Sequence, residues 1–171
     1  GIGRAHAMAC AAAGARVVVN DLGGSRDGSG ASVGPAQQVV DAIVAAGGDA
    51  VANTDSVTDP AGCARMVESA LAKWGRLDAV VNNAGILRDK TFVKLTDEEW
   101  DLVVSVHLKG SYNVIRAAVP ALQKQGGAII NTTSYSGMIG NFGQSNYAAA
   151  KAGIYGMTRV LSMELQKSGV T

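Results

Sequence analysis

The run R-V-V-V-N at residues 16–20 decides the fold of this chain, because its three consecutive valines do not alternate with polar residues. A strand with one solvated face alternates, whereas a continuous β-branched run is typical of a strand covered on both faces. Three later runs have the same character: A-V-A-N (50–53), A-V-V-N (79–82) and A-I-I-N-T (128–132). We therefore predict four strands of a parallel sheet that is buried on both faces.

Helical stretches separate these runs, and the sequence predicts them at 4–13, 35–46, 60–74, 97–124 and 146–168. Thr96 and Glu99 have the spacing of a capping box before the fourth helix. Three helices are followed by glycine, as C-terminal caps often are, at Gly14, Gly47 and Gly75. The alternation of strands and helices indicates an α/β class: a Rossmann-like, doubly wound parallel sheet in three α/β/α layers with right-handed crossovers.

The chain has 171 residues, enough for one domain with its own core. No internal repeat or interdomain linker is visible, so we predict a single domain over residues 1–171. The segment 22–34 is rich in glycine and serine and is predicted to be a flexible surface loop. Residues 1–15 could pass for a signal peptide, but their alanine content and His6 favour a packed helix of small residues.

Composition excludes several classes of function. Apolar residues make up 47% of the chain and the formal charge is +1, with no basic stripe, which argues against nucleic acid as a partner. No apolar run is long enough for a membrane span. Two distant cysteines favour a reducing, cytoplasm-like compartment over a disulfide framework, and two histidines are too few for a His-based zinc site.

The carboxyl ends of the predicted strands carry the candidate ligand residues, because open parallel sheets bind ligands there. Asp21 follows the first run, and a carboxylate at this position accepts hydrogen bonds from a ribose diol and repels a 2′-phosphate. It therefore favours NAD over NADP, although an Asx turn is the alternative and the nearby Arg26 leaves NADP open. The other strand ends are followed by Asp55 and Ser56, by N-A-G (83–85) and by T-S-Y-S-G (133–137).

Residues 1–4 read G-I-G-R and open a predicted helix, which makes Gly1, Ile2 and Gly3 half of a glycine-rich phosphate loop. Exposed N–H groups and the helix dipole would hold a pyrophosphate there. Two glycines alone are a weak signal.

The stretch S-N-Y-A-A-A-K-A-G (145–153) places Tyr147 and Lys151 one helical turn apart, with only alanine between them. Such a pair can be an ordinary surface contact. A free phenol, with a pKa near 10, needs about 4 kcal/mol of differential stabilisation to act as a base at neutral pH. A desolvated ammonium one turn away supplies part of that, and the small intervening side chains leave room for ligands.

These motifs together resemble the short-chain dehydrogenase/reductase family. The match rests on N-N-A-G (82–85), Y-A-A-A-K (147–151) and Ser134, in that family's order and spacing. More narrowly, N-D-L-G-G (20–24), V-H-L-K-G (106–110) and G-N-F-G-Q-S-N-Y (140–147) are similar to the (3R)-hydroxyacyl-CoA dehydrogenase unit of peroxisomal multifunctional enzyme type 2 and its stand-alone bacterial relatives.

The resemblance implies a role for each matching position. Tyr147 would be the general acid/base, Lys151 would hold the nicotinamide ribose and favour the ionised phenol, and Ser134 would bind the substrate oxygen. Asn83, Ala84 and Gly85 would line the cofactor, Asp55 would meet the adenine, and the adjacent Ser56 would also contact the cofactor. His107 stands where most of the family has an asparagine that positions a water relay. His107 is either a catalytic residue characteristic of the subgroup or a helix histidine that hydrogen-bonds to a backbone carbonyl.

The family pattern also extends beyond both ends of the sequence. Its first strand and its last strands have no counterpart here, so we expect an internal fragment, truncated at both ends and poorly stable alone because neighbouring strands lose their partner.

The sequence therefore predicts an NAD-dependent oxidoreductase that converts a (3R)-3-hydroxyacyl-CoA to the 3-oxoacyl-CoA. The alternatives are a 3-oxoacyl-carrier-protein reductase, a dehydrogenase of another secondary alcohol such as a steroid, and a non-catalytic nucleotide sensor. Long helices at 97–124 and 146–168 indicate a homodimer or homotetramer. We expect a cytoplasmic location, or a peroxisomal one in a eukaryote.

Overall fold

The computed structural model of the protein describes residues 1–24 and 34–171, and in these ranges strands and helices alternate as expected. The strands are β1 (Val17–Asn20), β2 (Ala50–Asn53), β3 (Ala79–Asn82) and β4 (Ala128–Asn131). The helices are α1 (Ile2–Ala12), α2 (Gly34–Ala45), α3 (Pro60–Trp74), α4 (Asp97–Val104), α5 (Gly110–Leu122), α6 (Ser136–Ile139) and α7 (Ser145–Leu165). Most of the predicted loop at 22–34, with Arg26, lies outside the described residues.

The long helix predicted at 97–124 is interrupted. Between α4 and α5 the chain makes a π-helical turn at Ser105–Lys109. A π-helical turn continues the helical course of the chain, so the sequence was interpreted as one continuous helix. Turns of this kind are rare and are frequent at functional sites. A short 3₁₀ turn at Phe92–Lys94 and the helix α6 were also absent from the sequence prediction.

The predicted caps are confirmed. The Thr96 hydroxyl accepts a hydrogen bond from the Glu99 backbone N–H at 3.3 Å, and the Glu99 carboxylate accepts one from the Thr96 N–H at 3.2 Å. Gly75 ends α3 in the left-handed conformation, with φ of 74°, where a Cβ would be strained. The Thr96 cap fixes where α4 begins, and Gly75 fixes where α3 ends. Together they set the positions of the neighbouring strand ends.

All strand pairing among the described residues is parallel, which confirms the fold class: a Rossmann-like α/β arrangement. Val17 pairs with Ala50 in the first pair, and Ala79 pairs with Ala128 in the second. The sheet is not continuous, however. Within residues 1–24 and 34–171, β1 bonds only to β2 and β3 only to β4. The expectation that these residues alone are poorly stable remains a prediction, and the unpaired edges of β1 and β3 are its physical basis.

The prediction that every strand is buried on both faces is wrong for the second pair. Val81 of β3 and Ile130 of β4 are exposed. The reason is that α5 and α7 pack on this pair, while the side carrying Val81 and Ile130 remains open to solvent in the part of the chain that the structure describes. The strands are apolar throughout, as the sequence predicts. Apolar composition alone, however, does not show whether a helix covers each face of a strand.

Each strand pair has its own apolar core. The first core joins Val39 and Ile43 of α2 to Ala50 of β2, with α1 packed against it. The second joins Ala118 and Leu122 of α5 to Leu165 at the end of α7. Helix α3 contacts both β1 and α5 and so connects the two halves. No helix in the described ranges is long and apolar enough to cross a membrane.

Candidate functional site

Both strand pairs end in the same arrangement of asparagine side chains. The Asn20 amide donates to Asn53 Oδ1 at 2.7 Å across β1 and β2. The Asn82 amide donates to Asn131 Oδ1 at 2.8 Å across β3 and β4. Each pair of side chains ties neighbouring strands together at the last residue, so the segments that follow leave the sheet from fixed points.

Asp21, the predicted ribose ligand, directly follows the first of these pairs and is exposed. Its backbone N–H donates to Asn53 O at 3.1 Å, which continues the β1–β2 ladder by one residue. Its Oδ1 accepts from the Gly23 N–H at 2.7 Å, so the side chain forms the Asx turn that the sequence left as the alternative. The turn holds an exposed carboxylate at the strand end and does not exclude a diol ligand.

Asp55 follows β2, and its carboxylate already has protein partners. Arg65 Nε donates to Oδ1 at 3.0 Å, and the Asn53 amide donates to Oδ2 at 2.8 Å. These hydrogen bonds, from Arg65 above all, hold the pKa of the Asp55 carboxyl below its usual range. Ser56 shares a 2.8 Å hydrogen bond with the Thr58 hydroxyl. Arg65 carried no sequence signal, because an arginine in a helix usually belongs to a solvated face.

The glycine-rich start of α1 lies against the end of β3. A Cβ placed on Gly3 would come within 2.9 Å of Asn83 Nδ2, whereas one on Gly1 would meet nothing within 4 Å. Gly1 and Ile2 are exposed. The structure therefore brings together two predicted cofactor segments that are eighty residues apart in sequence, and the helix N-terminus next to them favours an anion.

Gly85 makes room for His107. A Cβ on Gly85 would overlap the His107 ring, with its Nδ1 only 3.0 Å away. His107 lies in the π-helical turn and is buried; its Nε2 is 2.8 Å from Ile86 O and 3.1 Å from Ile86 N. Burial lowers the pKa of His107 to about 4, so the ring is neutral at physiological pH. The contact with a backbone carbonyl is the alternative that the sequence offered for this residue.

The predicted pair Tyr147 and Lys151 lies on α7, and His107 packs against it. The His107 and Tyr147 rings meet edge to face, with centroids 5.1 Å apart at 89°. Lys151 Nζ lies 5.6 Å from the Tyr147 ring centroid and donates to Thr132 O at 2.6 Å. Lys151 is buried, and desolvation lowers its pKa to about 8. The ammonium is therefore removed from water beside the phenol, unlike the lysine of an ordinary surface pair.

Ser134 follows β4 and leads into α6. Its hydroxyl accepts from the Ser136 N–H at 3.2 Å, which shapes the turn. Helix α6 then packs closely on α7, because a Cβ on Gly137 would lie 2.7 Å from Ala152 N and 3.0 Å from Lys151 Cβ. The short segment that carries Ser134 is thus held against the turn of α7 that carries Lys151.

Two positioning residues were missed by the sequence analysis. Asn146 is fully buried; its amide donates to Arg88 O at 3.2 Å and its Oδ1 accepts from the Tyr147 N–H at 2.8 Å. Gln144 donates to Asp89 Oδ2 at 2.8 Å. A polar residue directly before the tyrosine was the available signal for Asn146. Gln144 had none, since its partner is distant in sequence.

A pocket of about 320 Å³ opens beside the first turn of α7. Two segments form its walls, and the residues that line it are Lys90, Thr91, Phe92, Gly140, Asn141, Phe142, Gly143, Gln144, Ser145 and Ala148. Ala148 is the residue after Tyr147 in the chain. Among the described residues no group of three acidic, cysteine or histidine side chains is arranged to hold a metal ion.

Comparison with known proteins places these features in a family. The family model described as short chain dehydrogenase matches residues 1–171. A short-chain type dehydrogenase/reductase of Mycobacterium tuberculosis is 50% identical over 99% of this chain, and peroxisomal multifunctional enzyme type 2 of Mus musculus is 51% identical over 99%. The crystal structure of a short chain dehydrogenase from Mycobacterium avium superposes with a TM-score of 0.91 at 51% identity and covers the whole chain.

The chain spans only part of each of these proteins. It covers 60% of the Mycobacterium tuberculosis relative, 23% of the mouse enzyme and 61% of the chain in the Mycobacterium avium structure.

Proposed function

Because the chain belongs to the short-chain dehydrogenase family, we propose that it carries the nucleotide site and the catalytic residues of an oxidoreductase acting on a secondary alcohol or ketone. The observation that supports this most strongly is the buried Lys151 ammonium one turn from Tyr147. Removing an ammonium from water is costly. A chain that only bound a nucleotide as a sensor would have no use for a desolvated cation beside a phenol.

The residues at the strand ends fit a nicotinamide dinucleotide, the cofactor of this family. A Cβ on Gly3 would clash with the Asn83 side chain, so glycine lets Asn83 lie against the start of α1, where Gly1 is open and backbone N–H groups would face a pyrophosphate. Asp21 offers an exposed carboxylate at the end of β1 for a ribose diol. Its charge would oppose a 2′-phosphate, so we propose NAD over NADP.

The contact of Asp55 with the adenine stays part of the proposal. Its carboxylate is held by Arg65 and Asn53, so it would present a fixed edge there, with Ser56 beside it. Ala84 and Gly85 are exposed and small, and they would leave room for the ribose and the nicotinamide ring.

Different residues of the chain would then carry out different parts of the reaction. The bound nicotinamide would supply the two-electron chemistry, by taking hydride from the carbinol carbon or returning it to the ketone. Tyr147 would take the hydroxyl proton in oxidation and give it back in reduction, while the Ser134 hydroxyl donates to the substrate oxygen. Lys151 would stabilise the ionised phenol electrostatically and hold the ribose. His107 is neutral and would orient the Tyr147 ring through its edge contact, as a positioning residue.

For the substrate we propose a (3R)-3-hydroxyacyl-CoA, oxidised to the 3-oxoacyl-CoA. Support comes from the subgroup motifs in this sequence and from the 51% identity with a multifunctional enzyme type 2. We also propose a homodimer or homotetramer, because α7 exposes the large apolar side chains Tyr155, Val160 and Met163. The peroxisomal relatives support a peroxisome as the compartment in a eukaryote, and the cytoplasm otherwise.

The test is formation of reduced nicotinamide, followed by absorbance with the full-length protein. The 3R and 3S forms of a medium-chain 3-hydroxyacyl-CoA are each supplied with NAD or NADP. We expect turnover of the R form alone, faster with NAD. Turnover of the S form would overturn the stereochemical assignment, and faster turnover with NADP would overturn the role of Asp21. No turnover of either form would overturn the acyl-CoA assignment.

A further inference from the structure

Hydrogen bonds join the two walls of the pocket beside α7. One wall is the segment 90–92 and the other is the segment 140–148. The walls are joined by the Lys90 N–H, which donates to Gly143 O at 2.9 Å, and by the Gln144 amide, which donates to Asp89 at 2.8 Å. The Ser136 hydroxyl donates to Gln144 Oε1 at 2.9 Å, so the pocket adjoins the segment that carries Ser134, and a substrate held by Ser134 would extend one of its ends here.

Most polar side chains that line the pocket already bond to other protein groups. Lys90 Nζ pairs with Glu99 at 2.7 Å, and the Asn141 amide donates to Gln144 Oε1 at 3.0 Å. The hydroxyl oxygens of Thr91 and Ser145 have no hydrogen-bond partner among the described residues, but protein atoms enclose them, so they are not exposed to a ligand. Amides or charges of a ligand would have to compete with these protein contacts for Lys90 and Asn141, and polar groups buried without a partner cost free energy.

What remains for a ligand is apolar surface. Phe92 is 75% exposed and Phe142 is 89% exposed, one on each wall. The rim continues with exposed apolar side chains next to the Ser134 segment: Tyr135, Met138 and Ile139. Exposed apolar side chains beside a candidate reactive centre are typical of a binding site, and the volume of about 320 Å³ is at the lower end for ligand pockets.

We propose that this pocket binds the hydrocarbon tail of the acyl group, with Phe92 and Phe142 as its specificity-determining side chains. The assignment rests on the proposed function and adds to it which end of the thioester lies here. The pantetheine arm carries two amide groups and is the poorer occupant, because most polar side chains of the walls are paired within the protein and the remaining hydroxyls are enclosed.

The experiment measures kcat/KM for (3R)-3-hydroxyacyl-CoA substrates of four, six, eight and ten acyl carbons, so that the CoA part stays constant. The wild-type protein is compared with Phe92→Ala/Phe142→Ala. Val93→Ala is the matched control, because Val93 neighbours Phe92 and is 89% exposed but does not line the pocket. Both Phe side chains are largely exposed, so the double variant should fold.

In the wild type and in Val93→Ala we expect kcat/KM to rise about twofold to fourfold per added methylene, since burying a methylene is favourable. In Phe92→Ala/Phe142→Ala the rise should disappear, while the four-carbon substrate is turned over within about twofold of wild type. An unchanged rise in the double variant would overturn the assignment.

Two further outcomes separate this proposal from the function on which it rests. A flat profile in the wild type, with clear turnover of all four substrates, would overturn the tail assignment and leave the reaction standing. A loss in the double variant that is equal for all four lengths, but absent for N-acetylcysteamine thioesters of the same acids, would assign the pocket to the pantetheine arm instead. No turnover of any substrate would overturn the proposed function itself.

Discussion

The two strand pairs of this fold end alike and continue differently. Asn20 with Asn53, and Asn82 with Asn131, form matching side-chain hydrogen bonds at the last residue of each pair. After β1 and β2 come carboxylates at or near the surface, with Asp21 in an Asx turn. After β3 and β4 come neutral residues, and the charge that approaches them is the buried Lys151 ammonium on α7.

From this difference we propose that one backbone arrangement serves two tasks. A carboxylate that stays in contact with water keeps its charge and can discriminate between a hydroxyl and a phosphate. An ammonium that is desolvated loses stability as a cation, and its pKa falls to about 8, so it gains most from an anion formed next to it. We propose that cofactor choice resides at the first strand pair and proton transfer at the second.

Substitution of Asp21 should change cofactor choice alone. Asp21→Asn keeps an oxygen that can accept from the Gly23 N–H, so the turn is retained while the charge is lost. We expect the ratio of kcat/KM with NADP to that with NAD to rise by about 10- to 100-fold, because hydrogen bonds to charged groups are worth roughly 1.5–3 kcal/mol. Asp41→Asn, an equal charge change on α2, should leave the ratio as it is. A fall in kcat with NAD of more than about tenfold would show that cofactor choice at the first strand pair and proton transfer at the second are not independent.

Substitution of Gly85, which follows β3, should destabilise the packing around His107 at the second strand pair. Gly85→Ala places a Cβ on the His107 ring, and we expect the free energy of unfolding to fall by about 1–3 kcal/mol, the usual cost of overpacking. Gly156→Ala is the control, because a Cβ there meets nothing within 4 Å and alanine favours a helix. Denaturant unfolding of the full-length protein measures both.

The same measurement on Gly85→Ala/His107→Ala distinguishes overlap from backbone strain. Removing the ring should restore part of the stability that Gly85→Ala loses relative to His107→Ala alone. If the loss is as large in the absence of the ring, the contact between Gly85 and His107 is not its cause.

The pH profile should report Lys151. In ketone reduction the phenol must carry its proton and Lys151 must be charged, so kcat/KM should fall above pH about 8, by up to tenfold per pH unit. A histidine with a pKa near 4 adds no change above pH 5, and Asp55 titrates below its usual range. A rate that holds steady to pH 10 would mean that Lys151 keeps its charge and that its burial has no consequence for the reaction.

The sequence predicted the strands, the parallel pairing and the set of polar strand ends, because continuous β-branched runs and terminal glycines are local signals. It also predicted that Tyr147 and Lys151 lie side by side, because their contact follows from the helical repeat. It did not predict the π-helical turn around His107 or the α6 helix. It also missed the Arg65–Asp55 and Gln144–Asp89 hydrogen bonds, since these depend on segments that meet only in the folded chain. The exposed face of β3 and β4 had no signal in strands that are apolar throughout.

The most direct test of this account is Tyr147→Phe in the full-length protein, with NADH affinity and turnover measured on the same preparation. Phenylalanine keeps the ring that contacts His107 and removes only the hydroxyl. We expect the Kd for NADH to stay within about threefold of wild type, while kcat for the (3R)-3-hydroxyacyl-CoA falls by about 10²- to 10⁴-fold, the range of general acid–base catalysis. Unchanged turnover would contradict the account and favour a site that binds nucleotide without catalysis by Tyr147.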